Sequence, residues 1–218
     1  TDCDTTASEA EGATVVDCPE GIISPGLVNA NDHITFTEGS PYVGDDERYD
    51  HRNEWRKGIA GATKISSDPN ADSLGDAWGE MRQVITGTTS LFGSGGEDGF
   101  LRNLDQRDER QEGLSHLAAD YDTFPLGDSS FTSLVYEGCG DFSIDEPDLE
   151  GYSAYVPHLA EGVNDAARNE FLCASGIAEG GVDLTVESSS FIHGIGVWST
   201  DISIMSLDGT GLVWSPRS

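Results

Sequence analysis

Ile23-Ser24-Pro25-Gly26-Leu27-Val28-Asn29-Ala30-Asn31-Asp32-His33 is the stretch from which the fold is read. Ser24-Pro25-Gly26 is a turn signal, because proline presets one backbone angle and glycine frees the next. The turn feeds a short apolar run, Leu27-Val28, which predicts a buried strand ending in polar, metal-capable side chains. Two later segments repeat the pattern. Tyr155-Val156-Pro157-His158-Leu159-Ala160-Glu161-Gly162 and Ser190-Phe191-Ile192-His193-Gly194-Ile195-Gly196 each carry a short apolar run into a histidine, with glycine close behind. Three of the five histidines therefore stand at predicted strand ends, which favours a shared site over three unrelated structural roles.

Outward from these strands, the spacing of Trp78, Met81, Val84 and Ile85 predicts an amphipathic helix over 77–85, feeding a strand over 87–92. Helix followed by strand recurs at 113–118 and 121–127. A further helix is expected over 164–174, and another between His193 and Thr210 before a strand over 211–216. Alternating strands and helices argue for a parallel α/β sheet. Functional residues at strand C-termini argue for a (β/α)8 TIM-type barrel, incomplete in this chain, with strands 1 to about 7 present. Residues 1–20, with the β-like run Ala13-Thr14-Val15-Val16, are a lead-in resembling the end of a small β-domain; residues 21–218 form the barrel part. Residues 37–77 are polar and turn-rich and read as an active-site loop or a surface excursion, with His51 an ordinary hydrogen-bonded loop residue. Phosphate-loop chemistry is not indicated. Gly93-Ser94-Gly95-Gly96-Glu97-Asp98 lacks the last glycine of G-x-G-x-x-G, and neither G-x-x-x-x-G-K-[ST] nor G-x-S-x-G occurs.

Charge and cysteines bound the partners and the compartment. Forty acidic residues against eleven lysines and arginines give a formal charge of -29, which repels nucleic acid and anionic membranes. Such a coat suits high salt, where screening relieves repulsion. Cys3, Cys18, Cys139 and Cys173 show no C-x-x-C spacing, so a zinc ribbon is not expected. Of the three possible connectivities, Cys3 with Cys18 and Cys139 with Cys173 bound the most local segments, and free buried thiols are the alternative. Pairing implies an oxidising compartment, hence a secreted, extracellular or periplasmic protein. No run of 18 apolar residues and no signal peptide is visible, and a chain beginning at Thr1 is expected to be a processed form or a fragment.

Four motifs in order resemble the amidohydrolase superfamily, in its single-metal branch of cytosine-deaminase-like and chlorohydrolase-like enzymes, over residues 22–218. The family's first strand reads P-G-L-[IV]-[DN]-x-H-x-H; Pro25 to His33 follow it, with Asn31 where the first histidine is expected. His158 and Glu161 match its H-x-x-E, His193-Gly194 match its sixth-strand histidine, and Val213-Trp214-Ser215-Pro216-Arg217-Ser218 is similar to its seventh-strand segment. The resemblance implies one divalent transition metal, zinc or iron, bound by His33, His158, His193 and Asn31, with Glu161 as the catalytic proton carrier. The absence of lysine after Lys64 argues against the two-metal sites that rely on a carboxylated lysine.

The activity implied by the resemblance is that of a hydrolase cleaving a C–N bond in an amide, cyclic amide or amidine through a metal-activated water. Its expected partners are a small-molecule substrate and the C-terminal remainder of the barrel, which would carry the family's last ligand, an aspartate; homo-oligomerisation is left open. The alternative is a degenerate descendant serving as a binding or structural module of an extracellular assembly, motivated by Asn31, the incomplete barrel and the acidic coat.

Overall fold

The computed structural model describes residues 11–12, 14, 19–39, 42–44, 46–67, 69, 71–93, 96–106, 108–114, 116–142 and 144–215. Among these, β1 (Leu27–Asn29), β2 (Thr88–Leu91) and β3 (Arg102–Asn103) pair in that order, all parallel. A second parallel sheet has the order β4 (His158–Leu159), β5 (Ser190–His193), β6 (Gly211–Val213). Among the described residues, the segment 119–122 links the sheets, bonding to the chain after β3 through Ala119 N to Leu104 O (2.8 Å) and to the chain entering β4 through the Asp120–Tyr155 bridge and His158 N to Asp122 O (2.8 Å), while a Tyr155–Ser189 bridge extends the pairing of β4 with β5.

The helices are α1 (Arg52–Lys57), α2 (Ser73–Ile85), α3 (Glu146–Leu149), α4 (Asp165–Ala174) and α5 (Ser199–Asp208). Parallel neighbours need a crossover, and α4 and α5 supply it between β4, β5 and β6. The Asn164 side chain caps α4 by accepting from Ala167 N, and Gly209, at φ 76°, stops α5 in the left-handed conformation that glycine adopts without a Cβ clash. The buried face of α4, with Phe171, Cys173 and Ala174, packs with Tyr155, Leu159, Leu184, Phe191 and Met205 into the main core. Cys139 and Cys173 form a disulfide with Cα atoms 5.6 Å apart, tying the preceding loop to α4. Closing a loop of 34 residues is worth about 3–4 kcal/mol in the chain-entropy picture. The other expected pair, Cys3 with Cys18, and most of the Ala13–Val16 run lie outside the described residues. Among the described residues, no helix is long and apolar enough to cross a membrane.

Four expectations are corrected here. The described chain forms two three-stranded sheets and no closed barrel, so the (β/α)8 assignment fails. Strands of two to four residues give short ladders, and the regular crossover is missing where it was predicted. Among the described residues of 113–118 and 121–127 there is neither the expected helix nor the expected strand: Gly113 (φ 73°) and Gly127 (φ 67°) turn the chain, and 124–127 close a turn. Nor is β1 buried. It lies at a sheet edge, with Leu27 and Val28 exposed. Helix α2 forms, capped by Asp72, but its buried face carries Gly75, Gly79 and Glu80, whereas Trp78, Met81, Val84 and Ile85 face outward. Glu80 explains the inversion. Its carboxylate accepts from Glu97 N (2.8 Å), Leu101 N (3.0 Å) and Asn103 Nδ2 (3.2 Å), bonds that hold the loop before β3 and require that face inward.

Candidate metal centre

The ends of adjacent strands β4 and β5 build the site. His158 opens β4, Glu161 lies two residues beyond the strand, and His193 closes β5 in register with Leu159. Both strands then turn through left-handed residues, Ala160 (φ 54°) after β4 and His193 itself (φ 74°), followed by Gly194 (φ 59°). Non-glycine residues enter that region at a cost of roughly 1–3 kcal/mol, which surrounding bonds must offset. Here Gly194 N donates to Leu159 O and Gly196 N to Ala160 O, each at 3.0 Å, pinning the two turns together.

The side chains converge on one point. His193 Nε2 is 3.2 Å from His158 Nδ1 and 3.4 Å from Glu161 Oε2, and one donor atom from each of the three lies within 4.8 Å of the others. A tetrahedral ion with ligands at about 2.0–2.1 Å has ligand–ligand edges of about 3.3–3.4 Å. The observed separations match that edge. His193 Nδ1 is also buried without a hydrogen-bond partner among the described residues. Two imidazoles joined by a carboxylate or by a third imidazole are donor sets of zinc and non-haem iron sites, so an ion held by His158 and His193 fits here with either Glu161 or another imidazole beside them.

His33 follows β1 and comes to the same place from the other sheet. Its ring centroid is 5.0 Å from that of His158, the same separation as between His158 and His193. His33 and Asn31 line the cavity that the triad lines, although the tight cluster of donor atoms comprises His158, Glu161 and His193. The cavity holds about 580 Å³, and its lining also includes Tyr49, Trp55, Arg56 and Phe124.

Burial dominates the electrostatics. It pushes His193 down to about 4 and His158 to about 2, with His33 and Arg52 adding repulsion, so both rings are neutral and keep a lone pair at neutral pH. His33 is lowered for the same reason, partly opposed by Asp32. Burial raises Glu161 to about 7 against the opposing pull of Arg52. A carboxyl there exchanges protons at neutral pH.

An ionic network that the sequence pattern does not announce holds this geometry. His51 is not a simple loop residue: it is buried, its Nδ1 accepts from Asn53 N (3.1 Å) to cap α1, and its Nε2 faces Glu170 Oε1 (3.3 Å). With Nδ1 accepting, the proton belongs on Nε2. Arg52, 2% exposed, donates from Nη1 to His158 O (2.9 Å) and Thr123 O (3.2 Å), while its Nη2 meets Asp128 Oδ2 and Glu170 Oε1, both at 3.0 Å. Glu170, from α4, accepts from Ala160 N (2.7 Å), and Arg52 N donates to Glu161 O (2.9 Å). The backbone on both sides of Glu161 is thereby fixed. The alternation of charge in Asp50-His51-Arg52-Asn53-Glu54 is the available sequence signal, but the partners lie 76 and 118 residues away from Arg52, at Asp128 and Glu170.

Comparison with protein-family models, with curated proteins and with solved structures gives no match for this chain. The class of site therefore rests on its own geometry: a buried, neutral imidazole pair with an adjacent carboxyl at the floor of a cavity.

Proposed function

We propose that the chain is a metal-dependent hydrolase of amidohydrolase type, acting on a C–N bond of a small amide, cyclic amide or amidine. The observation that carries this reading is the 3.2 Å approach of two neutral imidazole nitrogens beside Glu161, at the floor of a cavity sized for a small molecule. His158 and His193 hold the ion, zinc or iron, and His33 completes the imidazole set from the side of His158. When bound, such an ion supplies Lewis acidity and brings the pKa of a water toward neutrality. Glu161 is near enough to be a further donor, but its raised pKa suits it better to carrying the proton from the attacking water to the leaving nitrogen. Arg52 positions the segment by holding His158 O, and it takes no part in the bond change. The disulfide supports a secreted protein.

Asn31 supports the second reading, a binding or structural module without turnover, because an amide oxygen is a poorer transition-metal donor than imidazole. Hydrolysis of a panel of amides, cyclic amides and amidines by zinc- and iron-reconstituted protein separates the two. The hydrolase reading expects turnover that falls at least about 100-fold in Glu161→Gln, in line with the loss of a general acid–base, while metal content is retained. Metal uptake without turnover on any member of the panel supports the module instead.

A further inference from the structure

We propose that the cavity selects a substrate carrying a carboxylate next to an apolar group, an N-acyl amino acid or a close analogue, and that Arg56 receives the carboxylate. This deepens the hydrolase reading and rests on it for the bond cleaved, but the anion site depends on residues separate from the histidine pair.

The cavity is a local reversal of the molecule's charge. In a chain of formal charge -29, its lining holds two arginines, Arg52 and Arg56, and among the described residues a single carboxyl, that of Glu161. Arg52 is consumed by Asp128 and Glu170. Arg56 differs. Its hydrogen bonds go to uncharged oxygens, from Nε and Nη2 to Asn53 Oδ1 (3.1 and 2.7 Å) and from Nη2 to the Asp128 carbonyl (3.5 Å). The neighbouring Lys57 ammonium also turns to main-chain oxygens, those of Asp128 and Phe131. Three cations, Arg52, Arg56 and Lys57, thus stand around two buried carboxylates, and the surplus charge reaches the cavity through Arg56.

Its guanidinium is also preorganised. Cζ lies 4.1 Å from the centroid of the Phe124 ring, so the planar fork is stacked on one face and tethered by Asn53 before any ligand arrives. A fixed fork recognises a carboxylate in two parallel hydrogen bonds with little ordering cost. Trp55, Phe124, Val163 and Ile195 supply apolar wall in the same cavity, which suits an apolar substituent beside the anionic group.

The test measures binding by calorimetry rather than turnover, on the disulfide-intact chain, zinc-loaded and after chelator treatment. The probes are N-acetylphenylalanine, N-acetylleucine and N-acetylmethionine, each against its carboxamide. The proposal expects the acids to bind at least about tenfold more tightly than the amides, a preference lost in Arg56→Gln and much reduced in Arg56→Lys, which keeps the charge but not the stacked fork, with melting curves confirming that both variants fold. A preference that survives chelation and disappears in Arg56→Gln supports the anion site even if the hydrolase reading fails. Three results overturn it: equal binding of acids and amides, no binding of any acid, or a preference abolished by chelation and untouched in Arg56→Gln, which would seat the carboxylate on the metal.

Discussion

His158 and His193 carry opposite messages for stability and function, because burial that keeps their rings neutral also makes them costly to protonate. Glu161 beside them has the reverse linkage. Its folded pKa, about 7, exceeds the ordinary 4.5, so between those values the folded chain retains a proton that the unfolded chain has released. The contribution of Glu161 is fully present below pH 4.5 and lost as pH rises through 7. In metal-free protein this loss is on the order of 3 kcal/mol. His193 acts the other way: stability is present above pH 6.5 and lost as pH falls through about 4. Glu161→Gln removes the first contribution alone. Urea unfolding at pH 5 and pH 7.5 should show the variant gaining on the parent protein at the higher pH; a difference that does not change with pH contradicts the buried, raised carboxyl. The three histidines were legible as a group because a histidine after an apolar run is a local pattern, but of the strand-end placements only that of His193 holds: His158 opens β4, and His33 lies four residues past β1. Glu170 was not, since nothing in Asn169-Glu170-Phe171 marks an acid that must face Arg52 across the fold.

At the scale of elements, α1 and α4 meet through His51, Arg52 and Glu170, and this contact sets the position of the turn after β4. Replacing Glu170 by alanine leaves Arg52 with Asp128 alone, frees the Ala160 amide and breaks a buried pair. Such losses cost about 3–5 kcal/mol. Chemical denaturation should show that destabilisation for Glu170→Ala and a smaller one for Glu170→Gln, whose amide oxygen still accepts from Ala160 N; a cost under about 1 kcal/mol, the range of an exposed pair, would mean the network does not hold the turn. Helices α4 and α5 and strands β2, β5 and β6 arise from local pattern and caps. The face of α2 does not, because Glu80 is satisfied only by the backbone of the loop before β3, and that demand outweighs the apolar stripe of Trp78, Met81 and Ile85. The stretch 113–127 misled because Leu114, Leu117 and Phe124 supply apolar spacing while Gly113, Pro125 and Gly127 supply turns.

Over the whole molecule, a charge of -29 on 218 residues opposes compactness by self-repulsion. Salt shortens the Debye length from about 10 Å at 0.1 M to about 3 Å at 1 M, so the melting temperature should rise by several degrees over that range. Scanning calorimetry checks it, and a melting point that stays level or falls with sodium chloride would show that the acidic surface is not under repulsive strain. The acidic excess was plain from composition. The architecture was not: alternating strands and helices suggested a closed barrel, yet strands of two to four residues leave two small sheets linked through the segment 119–122. The convergence of His158, Glu161 and His193 at one cavity does not depend on a barrel, and it is tested most directly by metal stoichiometry. Chelator-treated protein, dialysed against zinc and then against buffer, should retain about one ion per chain by plasma mass spectrometry, with His158→Ala and His193→Ala each retaining far less and Glu161→Gln close to the parent value. No retained zinc or iron, or equal retention in the two histidine variants and the parent protein, would contradict the metal centre.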